Sequence, residues 1–483
     1  MLFLSLLLAC GDSKDNDTAA EDTAVIDEPS GEPTDEPSGE PTDEPVEVPE
    51  SYEFDNADGD STLSYSGQIA RHALISSLKG YIGNMTGKIA DGSYAPTATA
   101  DVVADLNFYF DCDGDLCTDL TVGSETTVQQ TLSDISSGKN LVGKIAGNDS
   151  ATDHKDWTGG DFKGWNGAES PEALVRTWFD MLAANAVDQV NGTFADDPEG
   201  NTIEAVYLTP DGHDLNQLIQ KFLLGAITFS QGADDYLDDD TDGKGLLASH
   251  IQAEDKTYTP VEHAWDEGFG YFGAARNYID YTDEQIAGGE SIDIDGDGLV
   301  DLKSEKNWGN CVNAAKRDKG AVVATDFTTQ AWEGFAGGRQ FLHETRGTEL
   351  TDDQIDTLKD YRNEAVSAWE MAVSATVVHY INDVLQDMGK FGTADYSFSN
   401  HAKHWGEMKG FALGLQFNPH SPLSDEDFET FHSLVGDAPA LSDDGDAQIE
   451  AYRANLIEAR SILGTSYEFD ADNLGDDGGE NGW

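Results

Sequence analysis

The chain has 483 residues, with 93 Asp and Glu against 27 Lys and Arg, and a formal charge of −66 at pH 7. This charge excludes nucleic acid as a natural partner, because binding a phosphate backbone needs clustered Lys and Arg. Cations are the expected counter-ions instead. The 38% share of hydrophobic residues is enough for a large core, so the acidity does not by itself predict disorder.

Residues 1–10, MLFLSLLLAC, form an apolar run that ends in Cys10 and is followed by Gly11. The pattern resembles a bacterial lipobox, although no Lys or Arg precedes the run. The resemblance implies a signal peptide over residues 1–10 and a lipid anchor on Cys10. The run is too short to span a bilayer. We therefore expect a lipid-anchored protein of the cell outer membrane that faces the periplasm or the cell surface.

Residues 11–51 have the composition of an extended tether. They contain 15 Asp and Glu, six of the 14 prolines, and the octamer EPSGEPTD twice in succession. Proline stiffens the backbone and like charges repel, so this segment cannot form a core. We interpret it as a disordered spacer between the anchor and a folded body.

From residue 52 onward the apolar periodicity is mainly helical. Capping signals open several of these helices, for example Thr259 followed by Pro260 and Glu262. The predicted helices, in chain order, are 68–85, 126–137, 173–190, 214–230, one starting at Thr259, 328–344, 351–388, 403–417, one starting at Ser424, and 446–463. Short strand-like segments occur at 107–110 and 205–208. The fold class is thus mainly α, with a helical-bundle body over 52–465, long acidic loops, and a Gly-rich acidic tail over 466–483 that we expect to fray.

Four cysteines are present. Cys112 and Cys117 are close enough in sequence to form a disulfide in an oxidising compartment, and Cys311 is left as a buried thiol. The alternative is a metal pair, but this spacing without a second Cys/His pair is a poor zinc signature.

Two loops place carboxylates at alternate positions next to glycine, as calcium sites do. Their aspartates are Asp111, Asp113, Asp115 and Asp119 in the first loop, and Asp293, Asp295, Asp297 and Asp301 in the second. The second loop resembles the core of EF-hand, dockerin and thrombospondin type-three loops, but its twelfth position is Ser304, with Glu305 one residue further on. A third segment, 238–245, fits only the opening half of the pattern. The alternative for each is a solvated acidic turn. Bound calcium would stabilise these loops and would have no catalytic role.

Two glycine-rich helices carry the pattern His-x-x-acid, with His263 and Asp266 in one and His404 and Glu407 in the other. Residues three apart share a helix face. Together the two helices could form a mixed nitrogen and oxygen site for iron or another transition metal. The alternative is that Glu262 only caps its helix and that the histidines make ordinary packing contacts.

The segments EHAWDEGFGYFGAARNY, KHWGEMKGFALGLQFNP and SYEFDNADGDSTLSYSGQIARHAL resemble an uncharacterised bacterial lipoprotein family, domain of unknown function 4856, over about residues 52–465. The His-x-x-Glu helix is more distantly similar to the imelysin-like proteins linked to iron uptake. Their motif is Gly-x-His-x-x-Glu, whereas Val261 and Ala402 stand at the glycine position here. This second resemblance implies iron or metal uptake, with outer-membrane uptake components as partners.

Motifs of common enzyme classes are absent from the sequence: it contains no HExxH, GxSxG or GxxxxGK[ST]. Our first hypothesis is a non-catalytic, calcium-stabilised lipoprotein that binds a metal ion or metal complex. A second is an imelysin-like metal-dependent hydrolase with Glu267 or Glu407 as base. A third is a calcium-dependent adhesion or assembly module.

Overall fold

The computed structural model describes residues 47–112, 116–149 and 153–483. Over these residues the chain forms α-helices and isolated β-bridges but no β-strand, which confirms the mainly α fold class. The α-helices are α1 (Ser66–Ala90), α2 (Thr99–Phe110), α3 (Leu132–Ile135), α4 (Pro171–Val190), α5 (Leu215–Leu223), α6 (Pro260–Phe272), α7 (Asp283–Gly288), α8 (Gly309–Gly320), α9 (Phe327–Glu344), α10 (Asp352–Met388), α11 (Phe398–Ala412), α12 (Asp425–Val435), α13 (Asp446–Ser466) and α14 (Ala471–Leu474).

The helix starts follow the capping signals. The side chains of Ser170, Thr259, Thr351 and Ser424 each accept a hydrogen bond from the backbone N–H three residues on. These bonds satisfy donors that a helix start leaves unpaired. The predicted helix 351–388 therefore forms almost to the residue.

Helix α10 is the centre of the body and packs against α8, α9, α11 and α13. Its Trp369 is fully buried, as are Trp178, Trp265 and Trp405 from the surrounding helices. Such large side chains contribute much of the apolar area removed from water. Residues 46–483 form one compact unit, so the segment 466–483 belongs to it.

A row of glycines lies where α11 and the residues just after it approach α5 and the following segment, Leu224–Phe229. A Cβ at Gly410 would lie 2.7 Å from the Lys221 Cβ, and one at Gly414 would lie 3.0 Å from the Gly225 Cα. Only glycine permits backbones to come this close. The cost of glycine inside a helix is offset here by tight helix packing.

Four local predictions differ from the structure. Residues 205–208, read as strand-like, form a turn that ends in one isolated β-bridge, from Leu208 to Asp214. Residues 107–110, read as strand-like, are the last turn of α2. The predicted helix 126–137 is helical only in α3, because Thr127 makes a β-bridge with Val300. The helix predicted to end at residue 230 continues through two π-helical segments, Leu224–Phe229 and Gln231–Tyr236.

The C-terminal segment is packed rather than frayed. Trp483 is 6% exposed, and its indole N–H donates to the Arg317 carbonyl over 3.1 Å. The Asn382 amide donates to the Trp483 carbonyl over 3.2 Å. An aromatic side chain thus anchors a stretch whose Gly and Asp content alone indicated mobility.

The interior contains a large share of the few cations. Among the described residues, seven basic side chains are buried, namely Arg71, Lys221, Arg317, Arg339, Arg362, Lys409 and Arg460. Burying a charge is costly unless it is paired. The ion pairs of Lys221, Arg339 and Arg362 described below follow from this requirement.

Cys112 and Cys117 form a disulfide, and Cys311 is a buried free thiol. Cys10 lies outside the described residues. Among the helices that are described, none combines the length and the apolar character needed to cross a membrane.

Candidate functional site

The loop at residues 293–301 brings three carboxylates together. One oxygen each from Asp293, Asp295 and Asp297 lies within 4.8 Å of the others, and all three side chains are exposed. Hard oxygens converging in this way suit calcium. Glu305 is 3% exposed and accepts backbone N–H bonds from Ile294 and Asp301, each over 2.7 Å, so it closes the base of the loop.

Asp301 has other partners. Its carboxylate accepts from the Gln129 amide over 3.1 Å and from the Lys303 backbone over 2.7 Å. Through Gln129 and the Thr127 bridge to Val300, the loop is fixed to the segment that follows the disulfide. Both oxygens of Glu305 are occupied by backbone N–H groups, so within the described loop the grouped carboxylates are those of Asp293, Asp295 and Asp297.

The loop at residues 111–119 is described only in part, because Asp113 and Asp115 lie outside the described residues. Asp111 forms an ion pair with Arg176 at 2.6 Å, and Arg176 also binds Glu172 at 2.9 Å. The guanidinium already compensates the Asp111 carboxylate. Asp119 is exposed.

Helix α6 separates its acidic residues onto two faces. Asp266 is fully buried and accepts from the Arg339 guanidinium over 2.9 Å, while Glu262 accepts from the same guanidinium over 2.9 Å. Burial raises the pKa of Asp266, and Arg339 opposes that rise. Asp266 is therefore part of a buried ion pair instead of the predicted metal site. The reason is that Glu262 and Asp266 are four residues apart and share the Arg339 face.

His263 and Glu267 occupy the other face of α6. Their side chains approach to 3.6 Å, and the Gln68 amide donates to Glu267 over 2.7 Å. Both line a cavity of about 640 Å³ that also contains Tyr236 and Tyr258, and the Tyr258 ring stacks on His263. His263 thus faces a cavity large enough for a small ligand.

His404 lies between two carboxylates of α10. Its Nδ1 is 2.7 Å from Asp387 Oδ2, and its Nε2 is 3.8 Å from Asp383 Oδ2. A carboxylate only accepts hydrogen bonds, so the Nδ1 carries the proton. In the neutral ring the Nε2 lone pair then faces Asp383. This is the arrangement in which a carboxylate behind histidine orients a metal ligand.

A second histidine approaches Asp383 from the same helix. His379 Nε2 is 3.4 Å from Asp383 Oδ2. Two ligands that each lie about 2.1 Å from one ion can be up to about 4.2 Å apart, so both histidine contacts with Asp383 fit. Among the described residues, the three side chains are not all within 4.8 Å of one another, so an ion would have to draw one imidazole inward.

The electrostatics favour neutral imidazole at His379 and negative charge at Asp387. Burial, and then the charge of Arg317, lowers the pKa of His379 to about 3. Burial acts to raise the pKa of Asp387, but hydrogen bonds from His404 and Lys390 hold it below its usual value. Burial raises the pKa of Asp383. A positive ion would lower it by stabilising the charged form.

Glu407 is directed to another set of partners. Its carboxylate is 3.3 Å from the Lys221 ammonium and 3.8 Å from that of Lys403. Hence, among the described residues, no three of the four predicted ligands His263, Asp266, His404 and Glu407 meet as a metal-sized group. Of the two predicted histidines, His404 faces two carboxylates, Asp383 and Asp387, and His263 faces one, Glu267.

The sequence prediction missed His379, Asp383 and Asp387. They lie at intervals of four along α10, which places them on one face. That spacing is a readable signal, but 93 acidic residues make such spacings common by chance. A further group, Asp238, Asp239 and His420, is close enough to hold an ion, yet Asp239 already pairs with Lys359 and Arg362.

Comparison with known proteins gives a family without an assigned activity. The family model described as Domain of unknown function (DUF4856) matches residues 49–418. No curated protein matches the chain. No solved structure matches it either.

Proposed function

We propose that this chain, which belongs to the DUF4856 family, is a non-catalytic, lipid-anchored envelope protein that binds a transition metal ion in connection with metal uptake. The observation that carries the proposal is the position of His404 and His379 against one oxygen of Asp383. Nitrogen and oxygen donors together favour iron, zinc or a neighbouring metal over calcium. The lipobox-like ending at Cys10 supports the anchor.

Each side chain has a distinct role in the proposed site. His379, Asp383 and His404 supply the ligand atoms, and Asp387 holds the His404 ring from behind. Because α10 and α11 pack against each other, the two helices hold the backbones of these residues in place, and one imidazole moves inward when the ion binds. The side chains of His379, Asp383 and His404 are each 20–29% exposed, so an ion can reach them from solvent.

The test is the metal content and affinity of the full chain after loading with Fe²⁺ or Zn²⁺. We expect His404→Ala and Asp383→Asn to lose the ion, and Asp387→Asn to weaken binding by about 10–100-fold. His263→Ala is the matched control and should bind like the wild type. Equal metal content in all four variants would overturn the proposal.

We also propose that calcium stabilises the loop at residues 293–301. Calcium at 100 times its Kd would add about 2.7 kcal/mol to the free energy of unfolding. Asp295→Asn should abolish this gain, whereas Asp443→Asn, which changes an exposed acid elsewhere, should keep it. Thermal unfolding of the full chain with calcium and with chelator measures the difference, and a gain that survives Asp295→Asn would exclude this loop.

A further inference from the structure

The cavity beside His263 is a separate place on the molecule from the proposed metal site. Its volume of about 640 Å³ is typical of small-ligand sites, and none of the proposed metal ligands lines it. Its inner wall comes from α6 and from the π-helical segment Gln231–Tyr236. Its outer wall comes from residues within 243–258. The proposed metal binding therefore leaves this cavity without a function.

Glu267 is a largely buried carboxylate on the inner wall of the cavity. Its side chain is 18% exposed, and its Oε2 lies 3.6 Å from the His263 Nε2. The Gln68 amide donates to its Oε1 over 2.7 Å. Within the part of the chain that the structure describes, no Lys or Arg nitrogen lies within 4 Å of this carboxylate. A carboxylate so far withdrawn from water is normally paired with a cation, so Glu267 can receive the positive group of a ligand.

Asp235 is a second carboxylate on the inner wall, and it is 8% exposed. Burial, and then the charge of Asp153, raises the pKa of Asp235 to about 8, against the opposing charge of Lys144. Burial, and then the charge of Glu267, raises the pKa of Tyr236. The potential at the inner wall is therefore negative, which favours a positively charged group there.

The tyrosines of the cavity already attract ammonium groups of the protein itself. Lys144 Nζ lies 5.5 Å from the centre of the Tyr236 ring, and Lys256 Nζ lies 6.0 Å from that of the Tyr258 ring. The faces of aromatic rings attract cations. Because Lys256 is exposed, the ammonium group of a ligand can replace it beside Tyr258.

The spacing of the acidic groups suits an organic cation better than a metal ion. Among the described residues, neither Glu267 nor Asp235 belongs to a set of three side chains whose ligand atoms lie within 4.8 Å of one another. An inorganic ion would therefore lack the ligands that it needs. The lining also includes four small apolar side chains, those of Ala248, Ala253, Pro260 and Ala264. An organic cation with an apolar body matches such a lining.

We propose that the cavity binds the ammonium group of an organic amine, with Glu267 and Asp235 as the acceptors of its hydrogen bonds. The apolar body of the amine lies against Tyr258 and Ala264. Hydrogen bonds between an ammonium group and a carboxylate are among the stronger ones in proteins. The inference goes beyond the proposed metal binding and does not depend on it.

The experiment is calorimetric titration of the full chain with phenethylamine, phenylalanine and 3-phenylpropionate, which share a phenyl ring and differ in their charged groups. We expect the two amines to bind and 3-phenylpropionate not to bind. Lys244 and Lys256 line the cavity and are exposed, so they lie at its mouth and can pair with a carboxylate. Tighter binding of phenylalanine identifies the ligand as an amino acid or peptide, and tighter binding of phenethylamine identifies it as a simple amine. Binding of neither amine, or equal binding of 3-phenylpropionate, would overturn the proposal.

Two variants locate the binding in this cavity. Glu267→Gln removes the charge at nearly constant shape and should weaken amine binding at least tenfold. Ala264→Phe fills the cavity without changing a charge and should abolish binding, so the test stands even if Glu267→Gln does not fold. Glu254→Gln is the matched control, because Glu254 is exposed and does not line the cavity; it should bind like the wild type. If either cavity variant shows native circular dichroism and wild-type affinity, the proposal is wrong.

Discussion

Replacing Arg339 by methionine tests whether the α6 carboxylates form a structural ion pair. Arg339, Glu262 and Asp266 all have fully buried side chains, and Arg339 also donates to the Thr62 hydroxyl over 2.7 Å. Methionine fills most of the space but leaves the Asp266 carboxylate buried without a cation, whereas Glu262 keeps Arg346 at 3.2 Å. Removing one partner from a buried pair costs about 3–5 kcal/mol.

That loss can be converted into a melting shift. At about 2.1 cal/mol/K per residue, unfolding of the compact unit has an entropy near 0.9 kcal/mol/K, so Tm should fall by about 3–6 °C. The deficit should shrink as the pH is lowered from 7 to 5. The reason is that burial raises the pKa of Asp266 and the opposing charge of Arg339 is then gone, so protonation of Asp266 as the pH falls favours the folded state.

The control is Arg176→Met, since Arg176 also joins two carboxylates but is 30% exposed. Exposed pairs contribute little, so this variant should stay within about 1 kcal/mol of the wild type. Chemical and thermal unfolding at pH 5 and pH 7 measure both variants. If Arg339→Met loses no more than Arg176→Met, or if its deficit is the same at both pH values, the ion-pair reasoning is refuted.

Two further predictions concern packing and pH. Gly410→Ala should lower the free energy of unfolding by about 1–3 kcal/mol, because the new Cβ would lie 2.7 Å from the Lys221 Cβ. Gly80→Ala has nothing within 4 Å of its new Cβ, so it should raise the free energy of unfolding by up to about 1 kcal/mol. Denaturant unfolding distinguishes them, and equal effects would contradict the close approach of α11 to α5. Glu370 is 1% exposed, and burial raises its pKa, so its folded form favours the proton and stability is lost as pH rises through that pKa. Glu370→Gln should therefore become more stable relative to the wild type as the pH rises above about 4.3, the usual pKa of Glu, and a pH-independent difference would count against this assignment.

Local signals predicted the helices well. The Thr259 cap is an example: its hydroxyl accepts from the Glu262 backbone over 3.3 Å, and the Glu262 carboxylate accepts from the Thr259 backbone over 2.8 Å. Both groups lie within four residues, so the sequence contains the whole interaction. The confirmed family and the mainly α fold depend on many such local patterns.

Contacts between distant residues were not predictable in the same way. Asp266 pairs with a guanidinium 73 residues away, and nothing near it in the sequence indicates that partner. The His-x-x-acid prediction paired each histidine with the acid at position i+3, although position i+4 shares the face of the histidine equally well. In α6 the structure uses i+4, which joins His263 to Glu267 and leaves Asp266 to Arg339.

The burial of seven cations makes the outside of this protein more uniformly anionic than its composition suggests. At most 20 of the 27 Lys and Arg remain to balance the acids at the surface. Two copies therefore repel once their surfaces approach to within about a Debye length, which is about 8 Å at physiological ionic strength. Copies of the protein should repel one another in solution, and the smallest distance between two copies should shorten as salt or divalent cations are added. Crowded copies would keep their distance without any specific contact to hold them apart.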